Sequence, residues 1–274
     1  MSDIFDKFKL DGRVAVVTGG VGLLGKEFCR TLAQAGADVV VADMNEKGAS
    51  DLADEIQQTG KKAMGVQVDV TDTASVTEMA QKTVRTFGSL DILVCSAAMD
   101  PKFDSESQTK QNNNAFEDYP LEMWKQALDV NLTGMFLCCQ AAVHPMLEQN
   151  YGVIINICST YGVVAPDQRL YERPGQPQQY KPAYYPVTKF GVLGLTKYLA
   201  AYYAGKNIRV NSLTPHGIYN NHDEVFLKNF NSRSVLGRMA EKDEMNGALL
   251  FLASEASSYM TGSNLIVDGG WTVW

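Results

Sequence analysis

The chain has 274 residues, of which 45% are hydrophobic and 20% charged, a composition ordinary for a folded globular protein. This length fits one large α/β domain over residues 1–274. The 24 Lys and Arg against 31 Asp and Glu give a net charge of −7. That balance disfavours nucleic acid and anionic membranes as partners, but it is compatible with a small anionic substrate.

Short apolar runs rich in β-branched residues alternate with longer segments of helical periodicity. The predicted strands are residues 14–17, 39–41, 64–68, 92–95, 153–157, 208–211 and 265–267. Several of these runs are apolar without alternation, as expected for strands that helices cover on both faces. The pattern predicts an α/β protein built on a parallel sheet.

Helices and loops are predicted between these strands. Residues 24–35 carry apolar side chains on one face and end at Gly36, and residues 121–149 form a long apolar helix. Two long polar stretches, residues 100–118 and 167–182, each follow a predicted strand. Because loops of this length in a compact domain are usually functional, and parallel sheets bind ligands where strands end, we expect both near a site.

A glycine-rich loop with the sequence TGGVGLLG, residues 18–25, joins the first predicted strand to the first predicted helix. Glycines let backbone amides approach a pyrophosphate, and a helix N-terminus favours its charge. Asp43 ends the second strand roughly 20 residues further on. A carboxylate there accepts hydrogen bonds from the adenosine ribose and repels a 2′-phosphate, which predicts NAD rather than NADP. The alternative is a tight turn followed by a solvent-facing Asp.

A second nucleotide signal is Asp69, at the end of the third predicted strand. Its carboxylate could hydrogen-bond the adenine amino group. It could equally cap the helix that begins near Thr73.

Further motifs follow in chain order: CSAA at residues 95–98, NLTG at 131–134, INICS at 155–159, YPVTK at 185–189, IRVNS at 208–212 and DGG at 268–270. With the glycine loop, they resemble the compact, single-domain branch of the short-chain dehydrogenase/reductase family over essentially the whole chain. The resemblance implies a Rossmann-type doubly wound fold, with a mainly parallel seven-stranded sheet and helices on both faces. The chain is also similar to members associated with bacterial surface-sugar biosynthesis.

In the family, a tetrad of Asn, Ser, Tyr and Lys is catalytic, and it falls on Asn131, Ser159, Tyr185 and Lys189. Hydride transfer requires a proton to move to or from the substrate oxygen, and a tyrosine with a pKa of about 10 is a poor base at neutral pH. Lys189 lies one helical turn after Tyr185, so its ammonium is expected to lower the pKa of the phenol. Ser159, with Thr160 as the alternative, is expected to orient the substrate oxygen, and Asn131 to relay protons through water to Lys189.

The motifs also assign the cofactor contacts. The predicted positions are Gly19, Gly22, Leu23, Leu24, Asp43, Met44, Asp69, Val70, Ser96, Ala97, Ala98, Tyr185, Lys189, Pro215, Gly217 and Ile218. The last three stand where the family has the turn that holds the nicotinamide carboxamide.

Three features depart from the family pattern. The glycine spacing T-G-x-x-G-x-x-G is more familiar from the extended branch, although the chain length argues for the compact one. The interval from Ser159 to Tyr185 is longer than in compact members, and the loop 167–182 fills it. The third departure is His216, which replaces a glycine beside the carboxamide turn. It is either a titratable group at the reaction centre or an inert loop histidine.

The motifs predict an NAD(H)-dependent oxidoreductase that transfers a hydride between nicotinamide and a secondary alcohol or ketone. We expect a polar substrate, such as a sugar or sugar phosphate, because the predicted loops are rich in Asn, Gln, Tyr and Arg. Its predicted contacts are Ser159, Thr160, Tyr161, Arg169, Arg173, Tyr185 and His216. The two arginines could bind a phosphate or carboxylate, unless their loop is solvated or contacts another subunit. The alternatives are an NAD-using sugar epimerase or dehydratase and a catalytically silent NAD-binding regulator; the complete tetrad argues against the regulator.

Partners and compartment follow from the remaining composition. The cysteines are Cys29, Cys95, Cys138, Cys139 and Cys158, an odd number without a C-x-x-C pair, and we expect them to be reduced and buried. The three histidines have no metal-ligand spacing, so no metal is expected. No signal peptide and no run of ~18 apolar residues is recognised, which predicts a cytoplasmic protein without a membrane partner. The family resemblance implies a homodimer or homotetramer, with residues 246–253 as a candidate interface.

Overall fold

Seven parallel strands form one sheet in the computed structural model, which describes residues 3–100 and 114–274. The strands are β1 (Val14–Thr18), β2 (Asp38–Asp43), β3 (Ala63–Gln67), β4 (Ile92–Cys95), β5 (Gly152–Ile157), β6 (Ile208–Pro215) and β7 (Asn264–Val267). Their order is β3-β2-β1-β4-β5-β6-β7, and every neighbouring pair is parallel. This confirms the predicted doubly wound, Rossmann-type fold.

Helices connect the strands in the described part of the chain. They are α1 (Leu23–Gln34), α2 (Glu46–Gln58), α3 (Thr73–Phe87), α4 (Leu121–Leu128), α5 (Gly134–Glu148), α6 (Tyr184–Tyr202), α7 (Glu224–Asn231) and α8 (Asn246–Ala253). Short 3₁₀ helices cover Ile4–Phe8, Thr160–Gly162, Gln168–Tyr171, Lys242–Met245 and Glu255–Ser257. Most of the first predicted long loop, residues 101–113, lies outside the described residues.

The sheet is buried on both faces because its strands are apolar at consecutive positions. Along β1, Val17 packs in one cluster with α1 and α8, whereas Val16 packs in a second cluster with α3, α5 and α6. All five cysteines are unpaired and buried, as predicted. The two clusters are the two layers that helices form over a parallel sheet.

Strand β6 is longer than the sequence predicts, since it continues past Asn211 to Pro215. The apolar run ends at Asn211, but the hydroxyls of Ser212 and Thr214 donate hydrogen bonds to Asn264 on β7, at 2.9 and 2.5 Å. A buried strand can contain polar side chains when their hydroxyl groups are hydrogen-bonded in this way. A pattern based on apolar residues alone ends the strand too early.

The predicted long helix is present over Leu121–Glu148, but it contains a π-helical turn, Asp129–Thr133. By length and composition this helix could cross a membrane, because it has 28 residues and an 18-residue window with a mean hydropathy of 1.2, although it contains no run of ~18 consecutive apolar residues. The prediction required uninterrupted apolar residues, whereas a mean value tolerates interspersed polar ones. Met135, Cys138 and Met146 of the helix pack in the core against the sheet, which accounts for much of its apolar character.

Candidate active site

The loops after β1 and β4 meet at the carboxyl edge of the sheet, where the strand order changes direction. Gly19, with φ +66°, lies so close to Ala97 that a Cβ on the glycine would be 2.7 Å from the Ala97 Cα. The Ser96 amide donates hydrogen bonds to the carbonyl and the hydroxyl of Thr18, both at 3.2 Å. Such a switch point is where open α/β sheets bind their ligands.

The glycine loop has the shape of a pyrophosphate cradle. A Cβ on Gly25 would lie 2.1 Å from the Gly19 carbonyl oxygen, so the loop can pack on α1 only with glycine at that position. Gly22 is the N-cap of α1 and has no side chain to cap the first-turn amides, which include those of Leu23 and Leu24. These residues therefore fit the diphosphate of a dinucleotide cofactor.

Asp43 joins the end of β2 to the glycine loop. Its carboxylate accepts hydrogen bonds from the backbone amides of Val21 and Asn45, each at 3.0 Å. It is half-buried rather than solvent-facing, and the next residue, Met44, is exposed. Because a carboxylate can accept about four hydrogen bonds, Asp43 retains capacity for the hydroxyls of a ribose.

Asp69 does not cap α3. Its carboxylate accepts hydrogen bonds from the amide and the hydroxyl of Thr71, at 2.9 and 2.7 Å. The cap of α3 is Asp72, which accepts from the amide of Ala74 at 3.0 Å. Of the two sequence-based readings of Asp69, the helix cap is therefore wrong, and the adenine contact next to buried Val70 stays a prediction.

Ser159, Tyr185 and Lys189 come together in the interior, between the end of β5 and the first turns of α6. The Ser159 hydroxyl lies near enough to the Tyr185 phenol to lower its pKa, and the Lys189 Nζ lies 5.7 Å from the centre of the Tyr185 ring. Lys189 Nζ donates to the carbonyl of Ile157 at 3.0 Å. Ser159 Oγ also accepts from the amide of Tyr161 at 3.2 Å, which fixes its direction. Three of the four predicted catalytic side chains thus form one buried group.

The pKa of Tyr185 moves in the opposite direction to the sequence-based expectation. Burial raises the pKa of its phenol well above the ordinary value, the nearby Asp100 carboxylate raises it further, and the hydrogen bond with Ser159 lowers it. Burial also lowers the pKa of Lys189. In this structure the desolvation of the phenol therefore outweighs the effect expected from the ammonium of Lys189.

The side chain of Asn131 holds the segment that follows β4. Its Oδ1 accepts from the amide of Met99 at 2.6 Å, and its Nδ2 donates to the Met99 carbonyl at 3.0 Å and to the Thr188 hydroxyl at 3.3 Å. The π-helical turn places this buried amide. Asn131 thus clamps the residue before Asp100, and the water relay toward Lys189 stays a prediction.

His216 and Thr160 form a buried pair. The Thr160 hydroxyl and His216 Nδ1 are hydrogen-bonded, and the imidazole packs against Trp271 and Phe230 with ring centres 4.3 and 5.1 Å apart. Burial lowers the pKa of His216 to about 3, so the ring is neutral at physiological pH. His216 Nε2 has no hydrogen-bond partner among residues 3–100 and 114–274. Of the two readings of His216, the inert one therefore agrees with the structure, and Thr160 is engaged in holding the ring.

The turn after β6 presents the backbone of Ile218. The Gly217 carbonyl accepts from the Ala240 amide and the Tyr219 amide donates to the Ala240 carbonyl, both at 2.8 Å. The amide of Ile218 itself points to the other side of this bridge, as a parallel pairing requires. Gly217 has φ +57°, and a Cβ there would lie 2.0 Å from the Phe230 ring. The geometry suits a carboxamide contact after Pro215.

The insertion 167–182 packs on α7 instead of extending into solvent. Leu170 and Tyr171 are buried in an apolar cluster with Phe226 of α7, and the Tyr171 hydroxyl lies 3.4 Å from that of Tyr161. The insertion therefore forms a wall beside the buried tyrosines.

The two arginines of the insertion are engaged in ion pairs. Arg173 pairs with Asp223, the N-cap of α7, at 2.7 Å. Arg169 pairs with Asp167 at 2.8 Å and is 72% exposed. These contacts hold the insertion together and to α7, and they give no support to the predicted substrate contacts of Arg169 and Arg173.

A second buried lysine, Lys181, lies over Tyr185. Its Nζ is 4.0 Å from the centre of the Tyr185 ring and forms an ion pair with Asp100. The sequence analysis assigned no site role to Lys181 or Asp100. The available signal was spacing, since Lys181 precedes Tyr185 by four residues, outside α6, as Lys189 follows it by four within the helix. Asp100 lies 81 positions away in the chain, so no local sequence pattern predicts its ion pair with Lys181.

Comparison with known proteins agrees with this geometry. A family model described as enoyl-(acyl carrier protein) reductase matches residues 22–272. A D-threitol dehydrogenase of Mycolicibacterium smegmatis is 34% identical over 97% of this chain and 95% of its own. The chain belongs to the short-chain dehydrogenase/reductase family.

Other family members resemble the chain as closely. A 3-alpha-(or 20-beta)-hydroxysteroid dehydrogenase of Mycobacterium bovis is 35% identical over 96% of this chain and 90% of its own. The crystal structure of a gluconate 5-dehydrogenase from Burkholderia cenocepacia, in complex with NADP and tartrate, is 32% identical, with a TM-score of 0.87 over 99% of this chain and 100% of that one. The short-chain dehydrogenase/reductase identity makes the chain an oxidoreductase that acts on small molecules.

Proposed function

We propose that this oxidoreductase is an NAD(H)-dependent dehydrogenase that interconverts a polar secondary alcohol and its ketone. The observation that carries the proposal is the buried group of Ser159, Tyr185 and Lys189 at the edge where the glycine loop opens. A dinucleotide held by that loop would lie at the same edge of the sheet as the tyrosine.

The preference for NAD over NADP is supported by Asp43. A carboxylate at the end of β2 accepts hydrogen bonds from ribose hydroxyls, and its charge repels a 2′-phosphate. Met44 and Asn45 follow it, where an arginine would favour the phosphate. The gluconate dehydrogenase structure holds NADP, so family membership by itself does not fix this preference.

The chemistry divides between cofactor and protein. A dinucleotide held by the glycine loop would supply a nicotinamide that can accept a hydride from the carbinol carbon in oxidation and give it back in reduction. In oxidation the C–H bond breaks with its electron pair, and Tyr185 accepts the proton of the substrate hydroxyl. In reduction Tyr185 donates that proton, while Ser159 holds the same oxygen by a hydrogen bond. Lys189, buried beside Tyr185, would hydrogen-bond the nicotinamide ribose of such a cofactor.

The raised pKa of Tyr185 sets the direction of the pH dependence. A protonated phenol is ready to donate at neutral pH, so ketone reduction is expected to proceed there without titration. Alcohol oxidation requires the phenolate, and its rate is expected to rise with pH through the alkaline range. Opposite pH trends for the two directions support Tyr185 as the proton-transferring group.

A polar substrate is favoured by the charged pair over Tyr185. The threitol and hydroxysteroid dehydrogenases are almost equally similar to this chain, so identity does not choose between polar and apolar substrates. A steroid against the pair of Lys181 and Asp100 would remove water from the half-exposed carboxylate of Asp100 without replacing the hydrogen bonds of that water. A polyhydroxy compound, such as a sugar or sugar phosphate, supplies those bonds.

We also propose a homo-oligomer, built on apolar side chains that α5 and α6 expose. Phe136 of α5 is 46% exposed, and on α6 Phe190 is 50%, Tyr198 61% and Tyr202 65% exposed. Patches of this kind mark protein interfaces. In α8, the alternative surface, Leu249 and Leu252 are buried in the core, and the interface role of residues 246–253 stays a prediction. Light scattering after size-exclusion chromatography measures the mass directly.

The experiment that tests the function follows the absorbance of reduced nicotinamide. The purified protein is offered NAD or NADP with a panel of polyols, sugars, sugar phosphates and a hydroxysteroid. We expect NADH to form with polar secondary alcohols, and faster than NADPH. If only the steroid is oxidised, or if no alcohol changes the absorbance in either direction, the proposal is wrong.

A further inference from the structure

The lysine over Tyr185 is held in place by the insertion that distinguishes this chain. The Lys181 amide donates to Gln168 Oε1 at 2.8 Å, and Gln168 Nε2 donates to the Lys181 carbonyl at 3.1 Å. Its side chain is 7% exposed. With its backbone clamped on both sides, Lys181 has a fixed position, and its ammonium lies against the face of the Tyr185 ring.

The carboxylate that faces this ammonium is much less constrained. Asp100 is 56% exposed, although its predecessor Met99 is clamped by Asn131. Withdrawing a half-exposed carboxylate into water costs little, whereas a buried ammonium left without an anion is costly. The position next to Lys181 is therefore shaped for a carboxylate that can be exchanged for another.

Lys181 differs in this respect from the other cations of the insertion. Arg173 is held by Asp223 and by the carbonyls of Leu170 and Glu172, and only its buried Nε has no partner among the described residues. Arg169 is paired with Asp167 and exposed. Of these three cations, the ammonium of Lys181 is the one that contacts the ring of the residue proposed to transfer the proton.

We propose that Lys181 binds a carboxylate of the substrate, in the place that the Asp100 side chain occupies in this structure, and so makes the enzyme prefer hydroxy acids to neutral alcohols. The inference rests on the proposed dehydrogenase function. The hydroxyl and carboxylate of a 2- or 3-hydroxy acid are separated by one or two carbon atoms. A substrate with this short separation can place its hydroxyl at the Tyr185 hydroxyl and its carboxylate at the Lys181 ammonium, which lies over the same ring.

The test compares matched pairs of substrates that differ in one group. Each hydroxy acid is paired with the alcohol in which CH₂OH replaces the carboxylate, such as threonate with threitol and gluconate with glucitol. The measured quantity is the ratio of kcat/KM for the acid to kcat/KM for the neutral partner, with NAD and at constant pH. Because both members use the same Tyr185, changes in its pKa or in the amount of folded enzyme cancel in this ratio.

Three variants give distinct expectations. Lys181→Met is expected to lower the ratio by about 10- to 100-fold, the usual worth of a charged hydrogen bond. Lys181→Arg, which keeps the charge, is expected to retain most of the preference. Asp100→Asn removes the competing carboxylate and is expected to raise the ratio.

The control is Lys62→Met, which removes an exposed lysine paired with Asp38 at the opposite edge of the sheet. It is expected to leave the ratio unchanged. A ratio within twofold of the parent in Lys181→Met, or a parent that prefers the neutral partners, overturns the inference while the dehydrogenase function stands. An absence of turnover with every pair would instead reject the proposed function.

Discussion

The two halves of the site are built on different principles. The nucleotide half, formed by the loops after β1, β2, β3 and β4, uses glycines and short backbone contacts such as that of Gly19 with Ala97. The substrate half, formed by the loops after β5 and β6, the insertion 167–182 and α7, uses buried charges and aromatic rings. Contacts in the first half allow almost no change of residue, whereas those in the second depend on which partner each side chain meets.

This difference explains why similar proteins can share a fold and differ in substrate. The pyrophosphate is common to all dinucleotides, so a loop that binds it is fixed by backbone shape. The substrate half must recognise one alcohol among many, and it does so through placed polar groups. In this chain the placed groups include Lys181 and Asp100, which a comparison of overall identity does not reveal.

The largest expected effect is at the point where the two halves meet. Tyr185→Phe removes the hydroxyl proposed to transfer the proton, and kcat should fall about 10³-fold. Tyr184→Phe removes the same atom from the preceding residue of α6 and serves as the matched control, with kcat expected within a few-fold of the parent. Equal rates in Tyr185→Phe and in the parent would contradict the role of Tyr185.

The next largest expected effect is a pH-dependent change in the free energy of unfolding, which arises from His216 in the substrate half. His216 is neutral in the folded protein, with a pKa of about 3, whereas the unfolded chain binds a proton below the ordinary pKa of 6.5. Stability is therefore lost as pH falls from 6.5 toward 3. At pH 5 the loss is about 2 kcal/mol.

The measurement for His216 is urea unfolding at pH 7 and pH 5 in the parent and in His216→Gln. Glutamine can still bond to Thr160 but does not titrate. The variant should lose about 2 kcal/mol less than the parent between the two pH values. An identical loss in both proteins would mean that His216 is charged or accessible in the folded state.

A smaller effect is expected in the nucleotide half. Asp43→Asn keeps an oxygen that can accept from the Val21 amide but removes the negative charge. The ratio of kcat/KM with NAD to that with NADP should fall about tenfold, equivalent to roughly 1.4 kcal/mol. Asp38→Asn, at the other end of the same strand, is the control. An unchanged ratio in Asp43→Asn would remove the physical basis for the NAD preference.

The smallest expected effect is that of removing Arg169, an exposed cation of the substrate half. Arg169→Met removes an exposed ion pair with Asp167, and exposed pairs contribute little. We expect neither the unfolding midpoint nor KM to change measurably. A clear rise in KM for anionic substrates would instead assign to Arg169 the role that the structure gives to Lys181.

The nucleotide half could be predicted from the sequence because its signals are local. The glycine loop, the strand before it and the helix after it are adjacent in the chain, and Asp43 ends the next strand. The helix-cap alternative for Asp69 is also decided locally, since the cap of α3 is Asp72, only three residues away. Neighbouring residues in the sequence determine the backbone conformation of a loop. The nucleotide half depends mainly on that conformation, so it can be predicted from local patterns.

The substrate half could be predicted only in part. Ser159, Tyr185 and Lys189 were found through motifs, but the pKa of Tyr185 depends on burial, which the motif does not contain. The pair of Lys181 with Asp100 joins positions far apart in the chain. Arg169 was a plausible substrate ligand by residue type, and its partner Asp167 became evident only from the folded loop.

The most direct test of the account is to follow a deuterium label. The best alcohol of the screening panel, deuterated at its carbinol carbon, is incubated with the enzyme and NAD, and the nicotinamide is analysed by mass spectrometry and NMR. The account predicts one deuterium on each reduced nicotinamide for each ketone formed. Consumption of the alcohol while the nicotinamide stays oxidised and unlabelled would contradict it.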